Sequence, residues 1–290
     1  MPRTTLGVIT PTYNHAQYLP QALEAVAAQS RRPDEHWVLD DASTDETPDV
    51  LRQYAQRLPY LRLLRHETNR GVVDSLGELV AAARCQWLYG AAADDYVLPG
   101  FFEEAMELIE QFPRVGIVFG RMQAVDAEGR PGRIYGPAYW RRPRHFTPTQ
   151  FLCEFLTQQP AYLSLSGATL YRRECLEEVG GFRAELGSWC DTFAAWSIAL
   201  RWGACYLPDV AMAWRRLPGS ISHGGADAWS AKRTIVERAS ELMRSAEFRD
   251  QFPESFVRRW RRGYLRRIAL GRLKSLADQA AARTGLRRAA

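Results

Sequence analysis

A chain of 290 residues, 46% hydrophobic and 24% charged, can bury one large core or one core plus a smaller lobe, and this composition excludes a disordered or fibrous protein. The net charge of +5 is unevenly spread. Between Arg258 and Arg288 eleven arginines and lysines oppose Asp278 alone, so the rest of the chain is slightly acidic and the basic character belongs to the tail. No stretch approaches 18 consecutive apolar residues, which excludes a membrane-spanning helix. No charged head followed by an apolar run opens the sequence, so no signal peptide is expected. The five scattered cysteines (Cys85, Cys153, Cys175, Cys190, Cys205) form no Cys-x-x-Cys pair. They read as reduced, core-packed thiols of a cytoplasmic protein.

Leu6 to Thr10 is a short β-branched apolar run ended by Pro11 and predicts a buried strand. His15 to Gln29 carries Leu19, Leu23, Val26 and Ala27 at helical spacing, with Asn14 as the expected N-cap. A second strand, His36 to Leu39, ends in Asp40-Asp41, and Thr44 or Asp45 is expected to cap a helix over Glu46 to Leu58. Strand Leu61 to Leu64, helix Val72 to Arg84, strand Trp87 to Ala91, helix Pro99 to Gln111 with proline in its first turn, and strand Val115 to Phe119 follow. This alternation, about 30 residues per unit, predicts a three-layer αβα sandwich around a mostly parallel sheet. Ligands of such sheets bind at the carboxyl ends of the strands. After Asp126 the rhythm breaks. Ala127 to Thr147, rich in Gly, Pro and Arg, reads as a long surface loop or acceptor-side insertion. Helix Thr149 to Leu156, strand Ala168 to Arg172, helix Arg173 to Val179 stopped by Gly180-Gly181, helix Ser188 to Trp202 and strand Ala204 to Leu207 complete this part. From Ala228 the pattern is helical, interrupted at Pro253. The expected division is a catalytic domain over 1–225, with a nucleotide-binding half (1–120) and an acceptor-binding half (121–225), and a basic helical extension over 226–290.

Three polar clusters fall at successive predicted strand ends: Pro11 to Asn14, Asp40 to Asp45, and Asp94-Asp95. A nucleoside diphosphate sugar needs a flat wall and hydrogen-bond partners for its base, a carboxylate-held cation for its diphosphate, and a base to take the proton of the acceptor hydroxyl. Thr10-Pro11-Thr12-Tyr13-Asn14, Asp40-Asp41-Ala42-Ser43-Thr44-Asp45-Glu46-Thr47, Asn69-Arg70-Gly71 and Ala93-Asp94-Asp95 with Pro99 resemble, in order, the motifs of family 2 inverting glycosyltransferases. The similarity continues through Gly167, Tyr171-Arg172-Arg173, Val179-Gly180-Gly181-Phe182, Asp191, Trp196 and Tyr206-Leu207-Pro208, so that it covers roughly Leu6 to Ser222. Each motif is weak alone; the ordered set is specific.

The resemblance implies a glycosyltransferase-A fold and a set of roles. Pro11, Thr12, Tyr13 and Asn14 would line the nucleotide pocket, with Tyr13 stacking on the base. Asp41 would accept from the base N–H of uracil or thymine, with Asp40 supporting the loop. Arg70 would sit near the diphosphate. Asp94 and Asp95 stand at the acidic metal motif, Asp94 also on the donor side, and the implied cofactor is Mg2+ or Mn2+. Asp191 matches the catalytic base, and some burial against Trp189 or Trp196 is expected. His223 is a further metal candidate, in a loop placed to close on the diphosphate. The sequence departs from the family at Ala92, where many members carry a first acid, and at Cys190, where an acid often precedes the base. It also lacks the Gln-x-x-Arg-Trp of processive members, which points to transfer of a single sugar.

The first strand–helix turn contains no glycine, which argues against a dinucleotide-dependent oxidoreductase or a nucleotidyltransferase. Ala92 leaves open a degenerate sugar-nucleotide-binding module. No aromatic platform or helix-turn-helix supports nucleic-acid binding. In the tail, Phe256, Trp260, Tyr264, Leu265 and Ile268 recur at helical spacing among arginines. Two readings stand: an interfacial helix meeting anionic lipid over 256–276, or an ordinary packed helix with a solvated basic face. The expected partners are a UDP-, dTDP- or GDP-sugar donor and a glycan, lipid-linked or small-molecule acceptor.

Overall fold

The structure, a computed structural model, describes residues 3–158, 166–217 and 228–283. The described residues up to 217 form one compact unit and those from 228 a second. The first opens with β1 (Leu6–Thr12), α1 (Leu19–Ala27), β2 (Glu35–Asp40), α2 (Thr47–Arg57), β3 (Leu61–Arg65), α3 (Val72–Ala82) and β4 (Trp87–Gly90). Then come β5 (Tyr96–Val97), α4 (Phe101–Gln111), β6 (Ile117–Val125), β7 (Pro131–Tyr135) and β8 (Arg144–Phe146). A short helix, α5 (Pro148–Gln150), runs on into a π-helical turn, Phe151–Leu156, and is followed by β9 (Thr169–Arg172), α6 (Arg173–Glu178), α7 (Cys190–Trp202) and β10 (Ala204–Arg215). The second unit consists of α8 (Ala228–Arg244) and α9 (Glu254–Arg283), separated at Pro253.

The strands form one sheet in the order β3-β2-β1-β4-β9-β6-β10-β5, with β7 on β6 and β8 on β10. Pairing is parallel across β3-β2-β1-β4, as the strand–helix alternation requires. Beyond β4 it is mixed: β9 runs antiparallel to β4 and β6, while β6 and β10 are again parallel. Right-handed crossovers put α1 and α2 on one face, as the chain steps outward from β1 to β3, and α3 on the other as it returns to β4. Leu19 and Leu23 of α1 accordingly share a buried cluster with Leu51 and Tyr54 of α2. The main core joins Leu6, Val8, Trp87 and Tyr89 to Phe101, Phe102 and Met106 of α4. Helix α7 returns from the carboxyl edge to the amino edge, where Gly203 leads into β10. At that edge its Ile198 packs on Gly116, where a Cβ would approach to 2.2 Å.

Several local expectations change. Asn14 does not cap α1; Tyr18 holds that position with no side-chain bond, and Asn14 turns into the left-handed region (φ 55°) to reach another loop. Neither Thr44 nor Asp45 is the cap residue of α2, which is Glu46. Pro99 lies before α4, whose cap is Gly100 in the left-handed conformation. Ala127 to Thr147 is not one loop: it contributes β7 and β8, which extend the sheet through main-chain pairing although β7 is largely exposed. β10 runs eight residues past Leu207, because Pro208-Asp209 makes a bulge in the pairing rather than an end. Cys153 is exposed; the other four cysteines are buried.

Candidate active site

The carboxyl ends of β1, β2, β4, β6 and β10 share one edge of the sheet, and the polar clusters collect there. The loops after β1 and β2 are laced together. Ser43 Oγ accepts from Asn14 N–H (2.9 Å), Thr47 Oγ1 from His15 N–H (3.0 Å) and Asp45 Oδ2 from Ala16 N–H (3.1 Å). In return Asn14 Oδ1 accepts from Thr44 N–H (2.8 Å). The polar residues of the Asp40–Thr47 stretch thus hold the first loop in place, giving its backbone donors partners that no helix supplies. Asp40 Oδ1 accepts from Ser43 N–H (2.9 Å) and ties this turn down. Between them Ala42 sits at φ 63°, a left-handed conformation that costs a residue with a Cβ about 1 kcal/mol and persists only where its surroundings impose it. Thr12 is buried, whereas Tyr13 presents its ring to solvent, 43% exposed, beside Pro11.

Asp41 is buried, with about three of its four acceptor sites taken. Its Oδ1 accepts from Arg70 N–H (2.8 Å) and lies 2.7 Å from His66 Nδ1, and its Oδ2 accepts from Gly71 N–H (2.7 Å). Burial pushes this carboxyl upward, but the Arg70 and Gly71 amides and the His66 ring outweigh it and hold the group below the ordinary carboxylate range. Gly71, at φ 91°, opens α3 and offers its N–H from a positive-φ conformation that residues with a side chain rarely adopt. The Arg70 guanidinium is half exposed, 3.7 Å from Glu78.

Asp94 and Asp95 follow β4. Asp95 is half-buried, and its Oδ1 accepts from the Arg215 N–H at 2.7 Å. Burial first, and then the charge of Asp94, raise Asp95 well above the usual carboxylate range, against the opposing amide and charge of Arg215. Arg215 ends β10 and is 3% exposed. Its guanidinium donates to Asp94 O (2.9 Å), Asp126 O (3.3 Å), Ala127 O (2.7 Å) and Gln21 Oε1 (2.6 Å), between the rings of Tyr18 and Tyr96. Two adjacent carboxylates offer the hard oxygen donors that a Mg2+ or Mn2+ ion takes, with diphosphate and water to complete its shell. Among the described residues no third acidic, histidine or cysteine ligand joins them. His223 lies outside the described residues.

Asp191 is in the first turn of α7, half-buried, with Oδ1 accepting from Thr192 N–H (2.5 Å) and Thr192 Oγ1–H (3.2 Å). Trp189 and Trp196 meet edge to face, 5.2 Å between centroids, at the same helix start. Two buried tyrosines stand near this carboxylate and the acidic pair on opposite faces of the sheet, since Tyr89 is paired with Leu170 and Tyr171 with Leu88; the Tyr171 hydroxyl lies 3.5 Å from the Asp191 carbonyl oxygen. Tyr89 on β4 lies within the field of Asp95, and Tyr171 on β9 within that of Asp191 and of Tyr89; burial and these charges push both phenols up. Asp41 joins through β1, since Thr12 O accepts from Asp41 N–H (2.8 Å) and Ile9 O from Ala91 N–H (2.9 Å). The structure therefore brings Asp41, Asp94, Asp95 and Asp191 to one sheet edge. The sequence reading passed over His66, Glu78 and Arg215. His66 had a signal in its place just before Asn69-Arg70-Gly71; Arg215 had none once its strand was ended at Leu207.

A model of "Glycosyl transferase family 2" matches residues 7–180, more than half of the chain. Among curated proteins, a PGL/p-HBAD biosynthesis glycosyltransferase of Mycobacterium tuberculosis is 35% identical over 89 residues, 31% of this chain and 35% of that one. The chain spans about 40% of the length of the mycobacterial relatives it matches over the longer stretch of 140 residues. Two solved structures share the fold. S. aureus TarS 1-349 in complex with UDP-GlcNAc has a TM-score of 0.64 at 20% identity, covering 86% of this chain and 72% of that one. The mannosyltransferase PcManGT from Pyrobaculum calidifontis, in complex with GDP-Man and Mn2+, has a TM-score of 0.62 at 23% identity, covering 98% and 79%. With the family's model matched from the first strand to the glycine stop after α6, the chain belongs to glycosyl transferase family 2.

Proposed function

We propose that this chain is an inverting glycosyltransferase that moves a single sugar from a nucleoside diphosphate sugar to an acceptor hydroxyl, in the synthesis of a cell-surface polysaccharide, glycolipid or other glycoconjugate. The observation that carries this reading is the gathering of Asp41, Asp94–Asp95 and Asp191 at the carboxyl edge of one sheet. The catalytic domain is taken as 1–225, with 1–120 binding the nucleotide and 121–225 the acceptor, and 226–290 as an extension. Tyr13, exposed beside Pro11, stacks on the base, and Asp41 accepts from its N–H. UDP is the first choice of nucleotide, ahead of dTDP and GDP.

Transfer is one displacement. Asp191 takes the acceptor's hydroxyl proton as that oxygen bonds to the anomeric carbon; the bond from carbon to the diphosphate oxygen breaks, and the electron pair leaves with the diphosphate. Arg70, half-exposed beside Glu78, meets the negative charge that develops there. Asp94 and Asp95 would hold a Mg2+ or Mn2+ ion, which neutralises diphosphate charge when bound.

A thermal-shift screen of UDP, dTDP and GDP with and without Mn2+ tests the reading. Ligand at 100 times its dissociation constant adds about 2.7 kcal/mol, so the correct nucleotide raises Tm by several degrees, more with Mn2+ than without. No shift with any of the three contradicts it. A shift without sugar transfer or donor hydrolysis favours the second reading, a degenerate binding module, which Ala92 keeps in view.

We also propose a peripheral position at the cytoplasmic face of a membrane, reached through 256–276. No described helix is long and apolar enough to cross a membrane. In the second unit α8 and α9 pack on each other, with Trp229 over Gly271 and Arg261 in a two-point ion pair with Glu237 (2.7 Å each). Arg258, Arg259, Arg262 and Arg266 remain exposed on α9, with Leu270 (56%) and Leu273 (62%) beyond them. At about 1 kcal/mol per basic residue near an anionic surface, changing Arg259, Arg262 and Arg266 to Glu is expected to abolish sedimentation with phosphatidylglycerol vesicles. Unchanged sedimentation rules this surface out.

A further inference from the structure

The transfer scheme gives no task to His66, a buried histidine that touches the donor pocket. Its side chain is 3% exposed, with Nδ1 2.7 Å from Asp41 Oδ1 and Nε2 2.9 Å from Glu78 Oε2. Both neighbours are carboxylates and can only accept. A neutral imidazole has one N–H and satisfies one of them; an imidazolium has two and satisfies both. The charged groups that face the ring are Asp41 from the end of β2, Glu78 from α3 and Arg70 from the loop between β3 and α3, whose Nη1 is 3.7 Å from the same Glu78 oxygen. With the ring protonated, two cations balance two anions. With the ring neutral, a buried carboxylate oxygen or ring nitrogen loses its partner beside the group proposed to read the base.

We propose that His66, as the imidazolium bridging Asp41 and Glu78, is the positioning residue of the donor pocket: it fixes the Asp41 carboxylate for the base and, through Glu78, the station of Arg70 for the diphosphate. This deepens the donor-binding reading above and rests on it. Burial, and Arg70, favour the neutral ring, but the hydrogen bonds with Asp41 and Glu78 outweigh them and raise His66 above its ordinary 6.5. The sign follows from that direction. The bridge is complete below the ordinary histidine value and is lost as pH rises through the raised one. Asp41, held low, stays ionised across the whole range. Donor affinity therefore falls on the alkaline side.

The test measures the dissociation constants of UDP-GlcNAc and GDP-mannose with Mn2+ by calorimetry from pH 6 to 8.5, on the full chain, His66→Gln and Glu78→Gln. The bridging diphosphates of these probes do not titrate in that range, and the His66→Gln profile subtracts any other titration. NMR of the imidazole resonances, assigned by their loss in His66→Gln, gives the ring's own midpoint. For whichever probe binds, wild-type affinity is expected to drop about tenfold with the ring's midpoint. Glu78→Gln, at a half-exposed position, moves both midpoints to lower pH together. His66→Gln binds weakly at every pH with a flat profile. A wild-type profile that is flat while the nucleotide binds, or one that both variants share, overturns the role of His66 and leaves the donor pocket standing. Failure of both probes, and of dTDP-glucose, to bind wild type at pH 6 overturns the donor pocket itself, and this role with it.

Discussion

Asp191→Asn is expected to lower turnover by a factor of about 10² to 10⁴, the range for loss of a general base. The replacement is close to isosteric. Its amide oxygen still accepts from the Thr192 N–H and hydroxyl, as Asp191 Oδ1 does, so the first turn of α7 keeps its local bonds. Trp189 and Trp196, both buried, keep the helix start packed. The negative charge and the capacity to take a proton are lost. The defect should therefore fall on kcat, with donor KM and Tm near those of wild type. Steady-state kinetics against a competent acceptor check this, and near-wild-type turnover removes Asp191 from the mechanism.

The second large effect is structural and lies at Arg215. Arg215→Met keeps much of the side-chain volume and removes the guanidinium. The carbonyls of Asp94, Asp126 and Ala127 and the Gln21 side chain then lose their donors, and the rings of Tyr18 and Tyr96 lose the cation between them. Leaving buried acceptors unpaired costs about 1–3 kcal/mol each when none relaxes, and breaking buried charge networks typically costs about 3–5 kcal/mol in total. At about 2–4 °C per kcal/mol for a domain of this size, Tm is expected to fall by roughly 10 °C. Arg215→Lys, a point charge reaching one or two of the carbonyls, should recover only part of this. A calorimetric Tm within about 2 °C of wild type for Arg215→Met would mean that the network does not hold the acidic loop.

These two residues also show how much could be read in advance. Asp191 follows Gly180-Gly181-Phe182 and precedes Trp196 in an ordered motif set, so its place at a helix start near the site was legible. The parallel half of the sheet was legible for a different reason: Leu6–Thr10, His36–Leu39 and Trp87–Ala91 are apolar runs buried on both faces, the pattern such strands impose. Arg215 was not legible. Its partners come from α1, the loop after β4 and the turn after β6, far apart in sequence, and Pro208-Asp209 looked like a strand end where the sheet takes a bulge. β7 was missed because an exposed strand of Pro, Gly and Arg carries no alternation and exists only through its pairing with β6, and β8 because its three residues, Arg144–Phe146, are too few to show a period and are fixed by pairing with β10. Asn14 was read as a helix cap because Asn before an apolar periodic run is ordinarily one. Here its side chain and backbone are both spent on Ser43 and Thr44, binding the two loops that form the nucleotide end of the site.

In the proposed function, carboxylates from the loops after β2 and β4 and from α7 serve one donor at one edge of the sheet. A crystal structure with UDP and Mn2+, the ion located by its anomalous signal, tests it most directly. The expected result is a manganese peak about 2.0–2.3 Å from an oxygen of Asp94 or Asp95, the base over Tyr13 with its N–H toward Asp41, and the Asp191 carboxylate facing the diphosphate across open space for an acceptor. Manganese and nucleotide bound away from Asp94 and Asp95, or Asp191 turned from the diphosphate, would contradict it.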